Sequence, residues 1–414
     1  MRELLLRCQS ISGSVTGQGF TDHASRITHH LSSFMHIAIN AQLLNTENSY
    51  RGAGVSNYAQ QLLRAIGELK AAGETNHSFS AFVNDDAFTC DELDLVLTSS
   101  ALRSPLRRIV WEQTALPFAL RNMAVDLQHG LVNVLPLTSS VPGVVTVHDL
   151  SFIRMPEKFH RAKRAYLTAL CRASVVRARR VLAVSQQTAD DLIHFFDLPA
   201  YKVEVVHNGV APEFAPGNQE ENENFRQAKG LPERFLFYVG TLEPRKNLER
   251  LIRAYARWQQ TASSDQRQVK LVLAGAKGWL YQRIFELVQS NQLQDNVIFA
   301  GFVPHHELPQ WYRAAMAFVY PSLFEGFGLP VLEAMACGTP VLCSDAKSLL
   351  EVAGDAALIF PAEEEDQLLR ALQQISEDES LRNELAIRGQ QRASLFSWRR
   401  CAQETIAVYE SVGR

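Results

Sequence analysis

The sequence predicts an α/β protein of two successive doubly wound units, each a parallel sheet with helices on both faces. Three observations carry that expectation. Short apolar runs rich in Val, Ile, Leu and Phe alternate with amphipathic segments of helix length, as buried parallel strands and their covering helices do. The alternation pauses at a polar, acidic, proline-bracketed stretch, 211–232, and then restarts. At 414 residues the chain is also too long for one ordinary domain.

Taken in order, residues 1–34 are rich in Ser, Thr, His and Gly without a sustained period, and read as an N-terminal extension. From Met35 the run 36–41 has the signature of a buried strand. A loop containing Gly52-Ala53-Gly54 follows and leads into a helical pattern at 58–66. Further strands are expected at 79–83, 125–129, 144–148, 181–184 and 203–207, with helices at 158–178 and 188–196. Beyond the boundary, strands are expected at 235–239, 270–274, 297–300, 317–320 and 340–343. Helices fit at 248–259, 280–291, 307–314 and 330–337. The end is helical pattern throughout: 363–375, 381–392 and 398–412. The domains are therefore read as 35–212 and 213–396, with 397–414 as a terminal helix.

Composition narrows the classes. Apolar residues make up 46% and charged residues 21%, as in soluble globular proteins. The net charge of −3 gives no global field for nucleic acid. Residues 35–212 carry 17 Lys/Arg and 16 Asp/Glu, whereas 213–414 carry 21 and 26, so the first unit is the one suited to anionic surfaces. Within it, Lys158, Arg161, Lys163, Arg164, Arg172, Arg177, Arg179 and Arg180 occur across 158–180 with no acid among them. A solvated face explains this run, and so does attraction to an anionic membrane or a phosphorylated acceptor. The six cysteines (Cys8, Cys90, Cys171, Cys337, Cys343, Cys401) have no C-x-x-C spacing and read as free thiols of a reducing compartment. No run reaches the roughly 18 apolar residues of a membrane span, and Leu4–Leu6 is too short for a signal core. A cytoplasmic protein is expected, in peripheral contact at most with the inner face of a membrane.

The chemistry gathers around residues 320–338. The strand-like run 317–320 empties into a loop holding a carboxylate that reads as exposed, Glu325, followed by Gly326-Phe327-Gly328-Leu329-Pro330. Pro330 suits the first turn of a helix and Gly338 its end. The N–H groups of Gly328 and Leu329 then form a helix N-terminus, which favours anions. Glu333 lies on that helix, eight positions after Glu325. A plain surface loop with a dipole-friendly acid would read the same way. In the Gly240-Thr241-Leu242-Glu243-Pro244-Arg245-Lys246-Asn247 loop, two cations precede a helix start, where the dipole disfavours them. A bound phosphate makes the more economical account. Val147-His148-Asp149 ends a predicted strand, where open α/β sheets collect ligands; His148 reads equally as a site residue or a capping one. Gly52 and Gly54 fit either a ligand loop or a turn. There is no D-x-D pair, H-E-x-x-H or G-x-S-x-G.

Together these residues resemble the retaining group-1 (family 4) glycosyltransferases of GT-B fold, in which two Rossmann-like domains face each other across a cleft. The resemblance runs from about Met35 to the C-terminus. It rests on the Gly52–Gly54 loop, Val147-His148-Asp149, Ser185 with Asp190 downstream, His207-Asn208-Gly209-Val210, Gly240 to Asn247, Gly301-Phe302-Val303, and the pair Glu325 and Glu333. Gly-Thr-Leu-Glu-Pro-Arg-Lys-Asn is most similar to bacterial mannosyltransferases. The resemblance implies a nucleotide-sugar donor on the second domain and a saccharide or lipid-linked acceptor on the first. It places Glu333 on the ribose, Glu325 on the transferred sugar, Val303 at the base, and Arg245 and Lys246 on the diphosphate. Many members carry Arg where this chain has Thr241; Arg245 is the cation available instead. It also implies that the last helix returns to brace the first domain. GDP-mannose is the favoured donor, with UDP- or dTDP-sugars as the others, and no metal or other cofactor is expected.

Charge then frames the reaction. A diphosphate leaving group is met by Arg245, Lys246 and the helix N–H groups, with His148 as an orienter. Two carboxylates also occur in glycoside hydrolases, but such enzymes leave the cations unexplained. A nucleotide-sugar epimerase of the same fold and a non-catalytic sugar-nucleotide-binding protein are the remaining alternatives.

Overall fold

The apolar runs become strands because their side chains are buried on both faces of a sheet, so nothing but backbone pairing satisfies their polar groups. A computed structural model describes residues 34–46, 54–156 and 160–413. Gly52 and Lys158, and positions 1–33, lie outside the described residues. The first sheet contains β1 (His36–Asn40), β2 (Ser78–Val83), β3 (Asp94–Leu97), β4 (Leu127–Gly130), β5 (Gly143–Val147), β6 (Arg180–Ala183) and β7 (Val203–Val205). Their spatial order is β3-β2-β1-β4-β5-β6-β7, and every pair is parallel. The second sheet contains β8 (Phe235–Val239), β9 (Lys270–Ala274), β10 (Val297–Gly301), β11 (Ala317–Tyr320), β12 (Val341–Ser344) and β13 (Leu358–Phe360). It runs β10-β9-β8-β11-β12-β13, again all parallel. The expected fold class, two doubly wound parallel-sheet units, is the one observed.

Each sheet reverses its winding beside its first strand, between β1 and β4 and between β8 and β11. Loops leaving two such strands diverge to opposite faces and open a crevice at their carboxyl ends. This topology positions everything that follows. The loops after β8 and β11 are those of Arg245–Lys246 and Glu325, brought together although 79 positions apart.

Some elements differ from the sequence expectation. The edge strands β3 and β13 have four and three residues and are too short to show a period. The helix Pro105–Asn122, expected nowhere, has Pro117 in its interior and buries only Glu112, Leu116 and Leu120. The polar stretch read as the domain boundary contains the helix Gln219–Lys229. Asn218 caps it by accepting from the Glu221 N–H at 2.7 Å, and Gly230 ends it in the left-handed region. Only Phe225 on this helix is buried, so no apolar period announces it. Phe225 packs edge-on against Trp311.

The last helix, Trp398–Val412, packs against the helix Gly54–Ala71 of the first unit. A buried polar chain fastens it. The Tyr409 hydroxyl lies 2.6 Å from His129 Nδ1, His129 Nε2 lies 2.8 Å from Thr146 Oγ1, and Thr146 Oγ1 lies 3.0 Å from the Tyr58 hydroxyl. Burial draws the His129 pKa down to about 3, so this ring joins the chain neutral. The two chain crossings between the units lie side by side: Val210 N–H donates to the Phe396 carbonyl at 3.2 Å, and Val210 bridges to Ser397. Gly209 permits this, since a Cβ there would stand 2.0 Å from the Trp398 nitrogen. Of the six cysteines, Cys90, Cys171, Cys337, Cys343 and Cys401 are described, and all are free. No helix among the described residues is long and apolar enough to cross a membrane.

Candidate active site

The centre of the site is a carboxylate held between two cations. Lys246 ends a short turn (Pro244–Lys246) after β8, and its side chain is drawn inward until only 6% of the residue is exposed. Its Nζ donates to Glu325 Oε1 at 2.6 Å and to the Tyr320 hydroxyl at 2.7 Å. Arg245 donates from Nη1 to Glu325 Oε2 at 3.1 Å and to the Phe324 carbonyl at 3.2 Å, and from Nε to Glu243 Oε1 at 2.8 Å. Glu325, which reads as exposed in the sequence, is 8% exposed. Its burial is possible because both oxygens are paired with charge.

The electrostatics follow. Burial works against the Glu325 carboxylate, but Arg245 and then Lys246 outweigh it and hold the pKa at about 2. Burial, the largest influence on Lys246, draws its ammonium below the ordinary value while Glu325 pulls the other way. Burial likewise opposes the Arg245 charge, yet Glu325, Glu243 and Asp149 raise its pKa. Lys246 is thus already stripped of most of its water, and both cations are fixed in place by Glu325. Fixed cations with little water left to lose are the condition for strong electrostatic stabilisation of an anion.

Glu333 is held in the opposite way. It lies on the helix Leu329–Ala336, whose N-cap is Gly328, and is 6% exposed. The Tyr312 hydroxyl donates to its Oε2 at 2.9 Å, and His305 Nε2 stands 3.9 Å from Oε1. Burial raises its pKa, against His305 and Tyr312. Val303 is buried in the loop after β10, two residues before His305. The turn after β10 thus reaches Glu333 through His305, while Arg245 and Lys246 hold Glu325.

His148 follows β5 and faces this centre with its backbone. Its Nε2–H donates to the Leu131 carbonyl at 2.9 Å, its ring stands edge-on to Tyr58 at 4.6 Å, and burial lowers its pKa. The His148 carbonyl lies 2.1 Å from where a Cβ on Gly326 would be. Ser185 Oγ donates to the Gly326 carbonyl at 2.6 Å, and Thr188 Oγ1 reaches the His148 carbonyl at 3.3 Å. The two units meet here, with the Gly326 backbone against the His148 carbonyl and the Ser185 hydroxyl.

Other candidate residues are placed differently. Phe327 is buried between His207 and Phe396, with ring centroids at 5.9 and 6.0 Å, and belongs to the contact between the units. Leu329 opens the helix behind Gly328. Gly240 closes β8, and the Thr241 carbonyl accepts from the Tyr238 hydroxyl at 3.3 Å. Gly54 begins its helix with open space where a Cβ would be. Sequence reasoning missed Glu351, whose Oε1 lies 2.5 Å from His207 Nε2 and which also accepts from the Gln186 N–H at 2.8 Å. It sits in an ordinary helical pattern that carries no such signal. Glu243, Tyr312 and His305 were also not singled out, because each acts through a side chain chosen separately. Among the described residues no group of three or more His, Cys, Asp or Glu is placed to hold a metal ion.

Comparison with known proteins follows this division. Residues 219–392 match the family model described as glycosyl transferases group 1, and residues 53–214 that of glycosyltransferase family 4. The chain is 34% identical to an Escherichia coli protein named O-antigen chain mannosyltransferase B, over 71% of this chain and 76% of that one. Among solved structures it is similar to sucrose-phosphate synthase from Thermosynechococcus elongatus, with a TM-score of 0.73 at 23% identity over 91% and 98% of the two chains. The Anabaena protein Alr3699/HepE, solved with UDP and glucose, aligns with a TM-score of 0.68 at 21% identity over 91% and 100%.

Proposed function

The chain belongs to the group-1, family-4 glycosyltransferases with the GT-B fold, and from that premise we propose a retaining, metal-independent hexosyltransferase that moves mannose from GDP-mannose. Its acceptor is a saccharide or lipid-linked saccharide of envelope polysaccharide synthesis. The observation that carries the reading is the buried Arg245–Glu325–Lys246 cluster at the switch point of the second sheet. Breaking the sugar–phosphate bond leaves negative charge on the diphosphate, and these cations with the N–H groups at Gly328 and Leu329 meet it. Glu325, released from part of its pairing, holds the sugar; Glu333 takes the ribose hydroxyls. The acceptor attacks from the face that the phosphate leaves, and the departing phosphate takes its proton. Neutral His148 orients the acceptor side.

The mannose assignment leans on the name of the 34%-identical relative. The neighbour solved with UDP and glucose shares the fold only. Thermal shifts with GDP-mannose, UDP-glucose and a dTDP-sugar decide the donor. At a hundred times Kd a ligand stabilises by about 2.7 kcal/mol, so GDP-mannose is expected to stand out. A shift with UDP- or dTDP-sugar alone would overturn the donor. Transfer is expected to persist in EDTA, with product that keeps the donor's anomeric configuration; chelator-sensitive or inverted product would refute those two points.

Arg161, Lys163, Arg172 and Arg177 are exposed on the helix Arg161–Arg177, and Leu106, Val110 and Phe118 are exposed on the helix Pro105–Asn122 beside it. Two helices that wall one cavity thus expose basic and apolar groups, a combination that favours an anionic membrane surface. The protein is expected to float with vesicles rich in anionic lipid and not with neutral ones; equal flotation would remove the membrane contact.

A further inference from the structure

The first sheet has its own switch point, between β1 and β4, and the donor cluster does not use it. A cavity of about 120 Å³ lies there, walled by Asn40, by residues 131–134 after β4, and by the helices Pro105–Asn122 and Arg161–Arg177. One water needs roughly 10–15 Å³ on this measure, so the space takes several waters or one compact polyhydroxyl group. Ile109, Leu167 and Leu170 make much of the wall apolar. The polarity is gathered at one place. Asn40 Nδ2 donates to Glu112 Oε1 at 3.0 Å, and Arg108 Nε stands 3.8 Å from the same oxygen. Glu112 is 6% exposed, and Asn40 Oδ1 is buried with no hydrogen-bond partner. Burial raises the Glu112 pKa against the pull of Arg108 and Asn40. A buried acceptor without a donor is costly and rarely idle; one hydroxyl would supply what Asn40 Oδ1 lacks, and an adjacent one would fall on the Glu112 carboxylate beside it.

Position ties the cavity to the reaction. Leu131, on the cavity wall, accepts from His148 Nε2, and the neighbouring Asn133 Oδ1 accepts from the His148 N–H at 3.3 Å. The loop that walls the cavity therefore also holds His148, whose carbonyl abuts Gly326 beside Glu325. Resting on the glycosyltransferase reading above, we propose that Glu112 and Asn40 are the acceptor-specificity pair. Their side-chain oxygens accept from adjacent hydroxyls of the acceptor's terminal sugar, whose ring lies against Ile109, Leu167 and Leu170. A site built to bond hydroxyls rejects analogues that lack them.

The test titrates octyl α-mannoside, octyl β-glucoside, octyl β-galactoside and octyl N-acetylglucosaminide into the full chain with GDP present, and GDP alone in parallel. At least one glycoside is expected to bind, and Glu112→Gln to weaken it about tenfold or more with GDP binding unchanged. Asn40→Ala is expected to act in the same direction, and serves if Glu112→Gln does not fold. Deoxy analogues should lose affinity on the natural protein and lose little on the variants. Glycoside binding unchanged in both variants overturns the proposal, as does a natural protein that binds GDP and none of the glycosides. Glycoside binding that depends on Glu112, with no nucleotide binding at all, supports the pair and overturns the reading of function instead.

Discussion

Lys246→Ala is expected to lower kcat/KM for transfer by about 10²–10³-fold, the usual cost of removing one fixed donor aimed at developing charge. The ammonium is buried, bonded to Glu325 and Tyr320, and already dehydrated, so water in its place cannot reproduce its field. Glu325 would also respond. Its folded pKa is depressed from the usual 4.5 to about 2, so it contributes stability above the unfolded value that is lost as pH falls toward 2. The ionised cluster is therefore stabilising at neutral pH and loses that contribution in acid. With Lys246 gone, the Glu325 pKa climbs and acid unfolding begins at higher pH. Lys246→Met keeps most of the side-chain volume and separates charge from packing. Near-natural turnover in Lys246→Met, with only the acid limb of the unfolding curve displaced, would make Lys246 a counter-ion for Glu325 and nothing more.

The second large effect is expected at Gly326. A methyl group there would sit 2.1 Å from the His148 carbonyl oxygen and 3.1 Å from Asp149 Cβ, and the nearest of these is backbone that cannot swing aside. Gly326→Ala must therefore separate the two units locally. A displacement of about 1 Å between reacting groups costs on the order of 10²-fold in rate, whereas overpacking typically costs about 1–3 kcal/mol of stability. GDP binding, assigned to the second unit in the proposed function, should persist while kcat falls. Measuring both in one preparation decides the matter, and a kcat equal to that of the natural protein would show that this approach is not needed for transfer.

Much of this was legible in the residues. The bounds of β8, β9 and β11 coincide with apolar runs, because in a strand covered on both faces almost every residue must be apolar. The cluster of Arg245, Lys246 and Glu325 was legible as chemistry and not as geometry. Nothing local to Glu325 says that cations 79 and 80 positions earlier make its burial tolerable. Phe327 shows the same limit: it stands in a stretch rich in site residues, yet His207 and Phe396 decide where its ring goes. The helix Pro105–Asn122 was hidden by Pro117 and by the exposed Leu106, Val110 and Phe118, which blur its amphipathic period. Glu112 was hidden with it. A buried acid on an unrecognised helix reads as one more surface charge.

The paired crossings at Val210 and Ser397 bear on how such chains can be recombined. The first unit is completed by a helix that the chain supplies only at its end. Exchanging halves between relatives therefore takes two joints, one near each crossing, with the last helix travelling alongside the first unit. Because Val210 and Ser397 are bridged, both joints fall at one spot. A hybrid cut once, after residue 212, would take its Tyr409 from one parent and His129 from the other. It would close its polar chain only where the two parents happen to agree.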